Sequence, residues 1–176
     1  MQTVKIKDKE FSVSISEAEI RERVCAIAKR INSDLEGTTP IFIAVLNGSF
    51  IFAADLLREI TIPCEIAFVR MASYTGTVST GQVKEIMGLT KDIEGRTVVI
   101  VEDIIDSGLT MKEMLQLLQK KHPAAIHIAS LLTKPNNLKD IEGTTLGNHP
   151  NSHSHPNRNY LNTPLPLQFC TEESQR

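Results

Sequence analysis

Apolar positions along the chain follow two different patterns, and each pattern predicts one kind of element. Continuous apolar runs of strand length are typical of parallel strands that are covered on both faces. A continuous run of this kind occurs at residues 41–46, the most apolar strand is at 97–101, and further strand candidates are at 64–69 and 125–132. We therefore expect four buried strands in the first three quarters of the chain.

Helical patterns separate these runs. Ser16 and Glu19 have the spacing of a capping box, which predicts a helix from Ser16 to about Leu35, with Gly37 as its stop. Apolar residues at helical spacing predict two further helices, at residues 49–60 and 111–118. Because strands alternate with helices, the expected fold class is α/β, a parallel sheet with right-handed crossovers.

Two regions lack this periodicity. Residues 71–91 are rich in Gly, Ser and Thr and predict a long mobile loop or ribbon. Residues 140–176 contain no Val or Ala but five Asn and four Pro, so they cannot bury enough apolar surface to offset their ordering entropy. We therefore divide the chain into a folded domain, residues 1–139, and an irregular or disordered tail, residues 140–176.

Composition narrows the class of protein. The chain has 176 residues, of which 41% are hydrophobic and 23% charged, an ordinary globular composition. Its net charge of -2 argues against a nucleic-acid partner. No apolar stretch has the length of a membrane span, and the amino terminus lacks the apolar segment of a signal peptide. Three widely spaced Cys fit free thiols, so we expect a cytoplasmic protein without a membrane partner.

The stretch from Val98 to Thr110, VVIVEDIIDSGLT, carries the strongest chemical signal. A buried strand brings the carboxylates of Glu102 and Asp103 to its carboxyl end, where open α/β sheets bind ligands. Asp106 follows two apolar residues later. Residues 107–110 then open a helix, whose free N–H groups and positive dipole end favour a phosphate.

Carboxylates beside a phosphate site would repel the ligand, which leaves two alternatives. A divalent cation, typically Mg²⁺, can share carboxylate and substrate oxygens, or the carboxylates can accept hydrogen bonds from sugar hydroxyls. A ribose phosphate is compatible with both. Ordinary helix capping explains Asp106 or Ser107 alone, but it does not explain the whole pattern.

This stretch resembles the 5-phosphoribosyl-1-pyrophosphate signature of type I phosphoribosyltransferases. Three other segments resemble the hypoxanthine-guanine branch of that family: VLNGSF at 45–50 its pyrophosphate loop, MASY at 71–74 its flexible catalytic loop, and ASLLTK at 129–134 the strand before its base pocket. The resemblance covers residues 10–139. It implies the type I phosphoribosyltransferase fold, a parallel sheet flanked by helices, here with an incomplete hood.

The resemblance also implies a role for each matching residue. Asp106 is implied as the catalytic residue, a general base or acid near N7 of the purine, while Glu102 and Asp103 bind Mg²⁺ and the ribose hydroxyls. The other implied substrate-binding residues are Ser107, Gly108, Leu109 and Thr110 for the 5′-phosphate, Leu46, Asn47 and Gly48 for pyrophosphate, and Ser73 and Tyr74 in a lid. A cis peptide is implied between the first two residues of the pyrophosphate loop.

The implied reaction is transfer of a 5-phosphoribosyl group from phosphoribosyl pyrophosphate to a 6-oxopurine, hypoxanthine or guanine, in purine salvage. The products are the nucleoside 5′-monophosphate and pyrophosphate, and a homo-oligomer, dimer or tetramer, is implied. Asn47 stands where many relatives have Lys, and the aromatic-rich segment that binds the base in relatives is absent after residue 139. Two alternatives therefore stay open: a non-catalytic regulator that binds phosphoribosyl pyrophosphate, and an inactive product with a disrupted base pocket.

Overall fold

The computed structural model describes residues 3–13, 15–74, 83–105, 108–133 and 159–161. Over these residues the strands are β1 (Thr3–Ile6), β2 (Lys9–Ser12), β3 (Ile41–Val45), β4 (Glu65–Tyr74), β5 (Val83–Met87), β6 (Thr97–Ile105), β7 (Ala125–Thr133) and β8 (Asn159–Leu161). The helices are α1 (Glu17–Asp34), α2 (Phe50–Glu59) and α3 (Leu109–Gln119). None of these described helices has the length and apolar character needed to cross a membrane.

The predicted capping box fixes the start of α1. The Ser16 hydroxyl accepts from the Glu19 N–H (3.2 Å), and the Glu19 carboxylate accepts from the Ser16 N–H (2.8 Å). At the other end, the Leu35 N–H donates to Ile31 O (2.9 Å), and Gly37 follows with φ 76. Both predicted boundaries of this helix are confirmed, because both depend on local hydrogen bonds.

The main sheet has six strands in the order β5-β4-β3-β6-β7-β8. All neighbouring pairs are parallel except β4 and β5, which are antiparallel. The parallel arrangement and the predicted α/β class are confirmed. β3 and β6 lie at the centre of the sheet, so the chain segments that follow these two strands emerge side by side.

Helices cover both faces of the sheet, which explains the continuous apolar runs. On β3, Ile41, Ile43 and Val45 pack on the side of α3, while Phe42 and Ala44 pack on the side of α1 and α2. Four of these five side chains are completely inaccessible to solvent. Alternate side chains of β3 therefore point into two buried layers. In an antiparallel strand with one exposed face, every second side chain would point to solvent instead.

Four features of the fold differ from the sequence prediction. The hairpin β1–β2 was not predicted, and β4 and β6 extend beyond the predicted residues 64–69 and 97–101. Part of the predicted loop or ribbon at 71–91 is a ribbon of β4 and β5. Backbone pairing with a neighbouring strand explains these extensions, since such pairing needs no apolar run.

The fourth difference lies within the predicted irregular tail. Residues Asn159–Leu161 form β8, which pairs in parallel with Ile128–Ser130 of β7. A three-residue strand at a sheet edge is held by main-chain hydrogen bonds, so its formation does not require an apolar composition. The other residues of 140–176 lie outside the described part of the chain, and the domain division at residue 139 stays a prediction.

Candidate active site

Two of the predicted ligand-binding segments emerge together at one edge of the sheet. β3 and β6 are parallel neighbours, with Ala44 in register with Val101. The loop that begins at Leu46 therefore leaves β3 beside Glu102 and Asp103, which lie in the last part of β6. The carboxyl ends of parallel strands are where open α/β sheets bind their ligands.

Hydrogen bonds hold the loop after β3 on both sides. The Leu46 N–H donates to Val69 O of β4 (2.8 Å), and the buried Ser49 hydroxyl donates to Val45 O (2.6 Å). The peptide bond between Leu46 and Asn47 is cis, as the family resemblance implies. The loop is thus fixed between the end of β3, the neighbouring strand β4 and the start of α2.

Gly48 of this loop lies against the carboxylate of Asp103. A Cβ atom built on Gly48 would be 2.5 Å from Asp103 Oδ2 and 2.7 Å from Oδ1. The carboxylate is held from the other side, because the Ile104 N–H donates to Oδ1 (2.9 Å). Only a residue without a side chain allows this close approach, so the loop and the acidic pair form a single site.

Glu102 has an unusual electrostatic environment for a carboxyl group. Burial disfavours its charged form, and the hydrogen bond and negative charge of Asp103 disfavour it further, which together raise the pKa of Glu102 to about 8. Without a nearby cation, this carboxyl keeps its proton at neutral pH. The pair at the end of β6 therefore carries less negative charge than two ionised carboxylates would.

The start of α3 forms the third part of the site. Gly108 precedes the helix in the left-handed conformation, with φ 72 and ψ -11, which glycine adopts readily. The Lys112 N–H donates to Gly108 O (2.8 Å) and closes the first turn. Leu109 and Thr110 are exposed in that turn, where free backbone N–H groups and the positive end of the helix dipole favour an anion.

Several predicted residues are described in part or not at all. Ser73 and Tyr74 belong to the last part of β4, and their backbones pair with β5. Asp106 and Ser107 lie outside the described residues, as does Lys134, the last residue of the segment that resembles the strand before the base pocket. Among the described residues the geometry therefore joins the pyrophosphate loop and the acidic pair, and the start of α3 follows the end of β6 in the chain.

One residue at this edge was missed by sequence reasoning. Arg70 follows Val69, which is in register with Val45, and its Nη2 donates to Asn47 Oδ1 (2.7 Å). A single charged residue in a strand is an ordinary feature and gives no signal by itself. Its place beside the loop depends on the register of β3 and β4, which the sequence pattern does not reveal.

Comparisons with known proteins agree with this architecture. Residues 15–154 match the family described as phosphoribosyl transferase domain. The chain is 40% identical over 137 residues to the hypoxanthine-guanine phosphoribosyltransferase of Bacillus subtilis, with 77% of this chain and 76% of that protein covered.

Solved structures give the same result. A crystal structure of a hypoxanthine-guanine phosphoribosyltransferase from Bacillus anthracis matches with a TM-score of 0.62 and 39% identity, over 76% of each chain. A structure from a study of the C-terminal region in the oligomeric state and activity of Trypanosoma cruzi hypoxanthine phosphoribosyl transferase matches with a TM-score of 0.62 and 32% identity. That match covers 72% of this chain and 70% of the other.

Proposed function

The chain belongs to the phosphoribosyltransferase family, and we propose that it is a purine-salvage enzyme that acts on hypoxanthine or guanine. In the proposed reaction a purine nitrogen forms a bond to C1 of the ribose, and the bond from C1 to the pyrophosphate oxygen breaks. The products are the nucleoside 5′-monophosphate and pyrophosphate. The relatives described above are all named as transferases, which favours this function over a non-catalytic regulator.

The contact between Gly48 and Asp103 is the observation that carries this proposal. It brings an uncharged loop with exposed backbone to within van der Waals distance of the Asp103 carboxylate, at the end of the strand that precedes α3. Phosphoribosyl pyrophosphate has chemical groups for each part: a pyrophosphate for the loop, ribose hydroxyls for the carboxylates, and a 5′-phosphate for the helix start.

We propose that Glu102 and Asp103 also hold Mg²⁺. Among the described residues no three His, Cys, Asp or Glu side chains form a metal-binding group, and the described carboxylates at this edge are those of Glu102 and Asp103. This fits Mg²⁺, which commonly uses one or two carboxylates and takes its other ligands from substrate phosphates and water. When bound, the ion supplies positive charge to the departing pyrophosphate.

The roles proposed for the other residues follow the family resemblance. Asp106 takes the proton from N7 of the purine as the C1–nitrogen bond forms, and a general base of this kind contributes about 10²–10⁴-fold. Ser107 joins the backbone N–H groups of residues 108–110 around the 5′-phosphate. Ser73 and Tyr74 cover the reacting centre and exclude water from it.

We propose further that residues 1–139 form the catalytic domain and that residues 140–176 form a separate tail. We also propose that the protein is a cytoplasmic homo-oligomer.

The sequence lacks the usual base-binding segment after residue 139. We therefore expect this segment's absence to weaken purine binding more than it weakens the binding of phosphoribosyl pyrophosphate. Loss of one aromatic that stacks on the base reduces purine affinity by about 1–3 kcal/mol. Calorimetry with each ligand separately measures this difference.

The direct test is product formation by the purified chain with hypoxanthine, phosphoribosyl pyrophosphate and Mg²⁺. The nucleoside monophosphate and pyrophosphate should appear in equal amounts. Asp106→Asn should lower kcat by about 10²–10⁴-fold and leave the affinity for phosphoribosyl pyrophosphate unchanged. The control Asp55→Asn removes a carboxylate that pairs with Arg58 on the surface of α2 (2.7 Å), and it should keep wild-type kcat. A folded chain that binds phosphoribosyl pyrophosphate but forms no product would refute the transferase and favour the regulator.

A further inference from the structure

We propose that Arg70 is a pyrophosphate-binding residue, which supplies the positive charge that the loop after β3 lacks. This inference rests on the proposed function, because it assigns a ligand group to the same site. It concerns the affinity and salt dependence of pyrophosphate binding, and it places no chemical step on Arg70.

The first observation is the position of the guanidinium group. Arg70 Nη2 donates to Asn47 Oδ1 at 2.7 Å, and Asn47 is the middle residue of the loop between Leu46 and Gly48. Both Arg70 and Asn47 are exposed. The cation thus lies on the solvent side of the loop, at the edge of the sheet where the ligand would enter.

The second observation is the absence of a neighbouring anion. Over the described ranges, Arg21, Arg58 and Arg96 each pair with a carboxylate, those of Glu17, Asp55 and Glu65 respectively. Arg70 has no carboxylate partner among those same residues, and the amide oxygen of Asn47 satisfies one of its five N–H donors. Within the described part of the chain the remaining donors have no partner, so they are available to an anion.

The third observation is the charge balance of the site. Leu46, Asn47 and Gly48 carry no charge, so the loop itself offers a phosphate only neutral donors, its backbone N–H groups and the side-chain amide of Asn47. The carboxylate of Asp103 lies directly against Gly48 and would repel a pyrophosphate held there. A guanidinium group compensates for this repulsion and can bind phosphate oxygens with two parallel hydrogen bonds, a geometry that Lys lacks.

Arg70 could contact the anion or could only hold the side chain of Asn47, and three variants separate these roles. Arg70→Gln removes the charge. Asn47→Ala removes the contact with Asn47 and keeps the charge. The double variant Asn47→Lys with Arg70→Gln moves a positive charge from the strand to the loop. Arg58→Gln is the matched control, since it removes one charge from the surface of α2 where Arg58 pairs with Asp55.

The probe is pyrophosphate with Mg²⁺, measured by calorimetry at several KCl concentrations. Arg70→Gln should weaken binding about tenfold, the effect of one charge-assisted hydrogen bond, and should reduce the dependence of the affinity on KCl. Asn47→Ala removes a neutral amide donor of the loop as well as the contact with Arg70, so it should weaken binding by clearly less than Arg70→Gln does and should keep the dependence of the affinity on KCl. The double variant should recover most of the lost affinity, and Arg58→Gln should bind as the wild type does.

Three results would overturn the inference, and they have different consequences for the proposed function. Wild-type binding together with unchanged binding by Arg70→Gln refutes the role of Arg70 and leaves the proposed function intact. Equal losses in Arg70→Gln and Asn47→Ala, without recovery in the double variant, would show that Arg70 only positions Asn47. Failure of the wild type to bind pyrophosphate with Mg²⁺ would overturn both this inference and the proposed function.

Discussion

Two glutamates at opposite ends of the parallel strands of one sheet have opposite electrostatic surroundings. Glu65 opens β4 and accepts hydrogen bonds from Lys91 Nζ (2.5 Å) and Arg96 Nη2 (2.7 Å), and these two cations lower the pKa of Glu65 to about 2. Glu102 lies near the end of β6, where burial and the neighbouring carboxyl of Asp103 raise the pKa of Glu102 to about 8.

The difference shows what each edge contributes to the protein. At the amino edge, where the parallel strands begin, Lys91 and Arg96 are the cations that compensate the charge of Glu65, so no ligand is needed there. At the carboxyl edge, where the parallel strands end, no cation among the described residues pairs with Glu102 or Asp103, and the two neighbouring carboxyl groups disfavour the charged state of Glu102. A perturbed carboxyl at the ligand-binding edge of a sheet is typical of a functional site, whereas a compensated carboxyl serves the fold.

The largest effect on activity is expected from Gly48→Ala at the carboxyl edge. The new methyl group would meet both oxygens of Asp103, at 2.5 and 2.7 Å, so the loop or the carboxylate must move. Misplacement of about 1 Å in a site can reduce activity about a hundredfold. We expect kcat/KM to fall by about that factor, with little change in Tm because Gly48 is exposed.

Gly95→Ala is the matched control at the amino edge. A Cβ atom at Gly95 has no neighbour within 4 Å, but φ is 65, so the substitution strains the backbone and costs about 1 kcal/mol of stability. Gly95→Ala should therefore lower Tm and keep kcat/KM. The comparison between the two edges would be contradicted if Gly48→Ala lowered Tm and kept the activity.

Elements with a local signal could be predicted from the sequence. The capping box of α1 and the apolar residues of α3 depend on residues within one or two turns of each other, and both helices lie where they were expected. The hairpin β1–β2 gave no comparable signal. Ile6 and Phe11 are 56% and 45% exposed, so the large apolar side chains described in this hairpin are not buried and impose no pattern.

The same distinction applies to the site. Glu102 and Asp103 at the end of an apolar strand, followed by a helix start, form a contiguous pattern, so they could be recognised in the sequence. The contact of Gly48 with Asp103 and that of Arg70 with Asn47 depend on the register between separate strands. Residues that meet through strand register are distant in sequence, and one amino-acid sequence by itself carries no signal for their pairing.

The next largest effect is a pH dependence of stability that comes from Glu102. Its folded-state pKa of about 8 is above the ordinary value of 4.5. Its stabilising contribution is therefore complete below about pH 4.5 and is lost as the pH rises towards 8. With metal ions chelated, we expect the free energy of unfolding to fall by an amount on the order of 2 kcal/mol between pH 5 and pH 8.

Glu102→Gln should flatten this pH profile, because glutamine is neutral throughout. Urea denaturation at several pH values, with a chelator present, measures the slope for both proteins. The variant and the wild type should have similar stability near pH 5 and differ at pH 8, where the variant is the more stable. Equal slopes in the two proteins would show that Glu102 is not the group responsible, and would remove the contrast with Glu65.

The smallest effect is expected from Glu65→Gln at the amino edge. The pKa of Glu65 is lowered from 4.5 to about 2, so its stabilising contribution is present above about pH 4.5 and is lost as the pH falls towards 2. Its side chain is 36% exposed, and exposed ion pairs contribute little because water and salt screen them. The substitution should lower Tm by only about 2–4 °C at pH 7 and by less at pH 3, the reverse of the pH trend of Glu102→Gln.

The amino edge lies at the opposite end of the strands from the ligand site, so Glu65→Gln should keep the wild-type kcat/KM. A fall in kcat/KM without a fall in Tm would mean that the two edges are coupled.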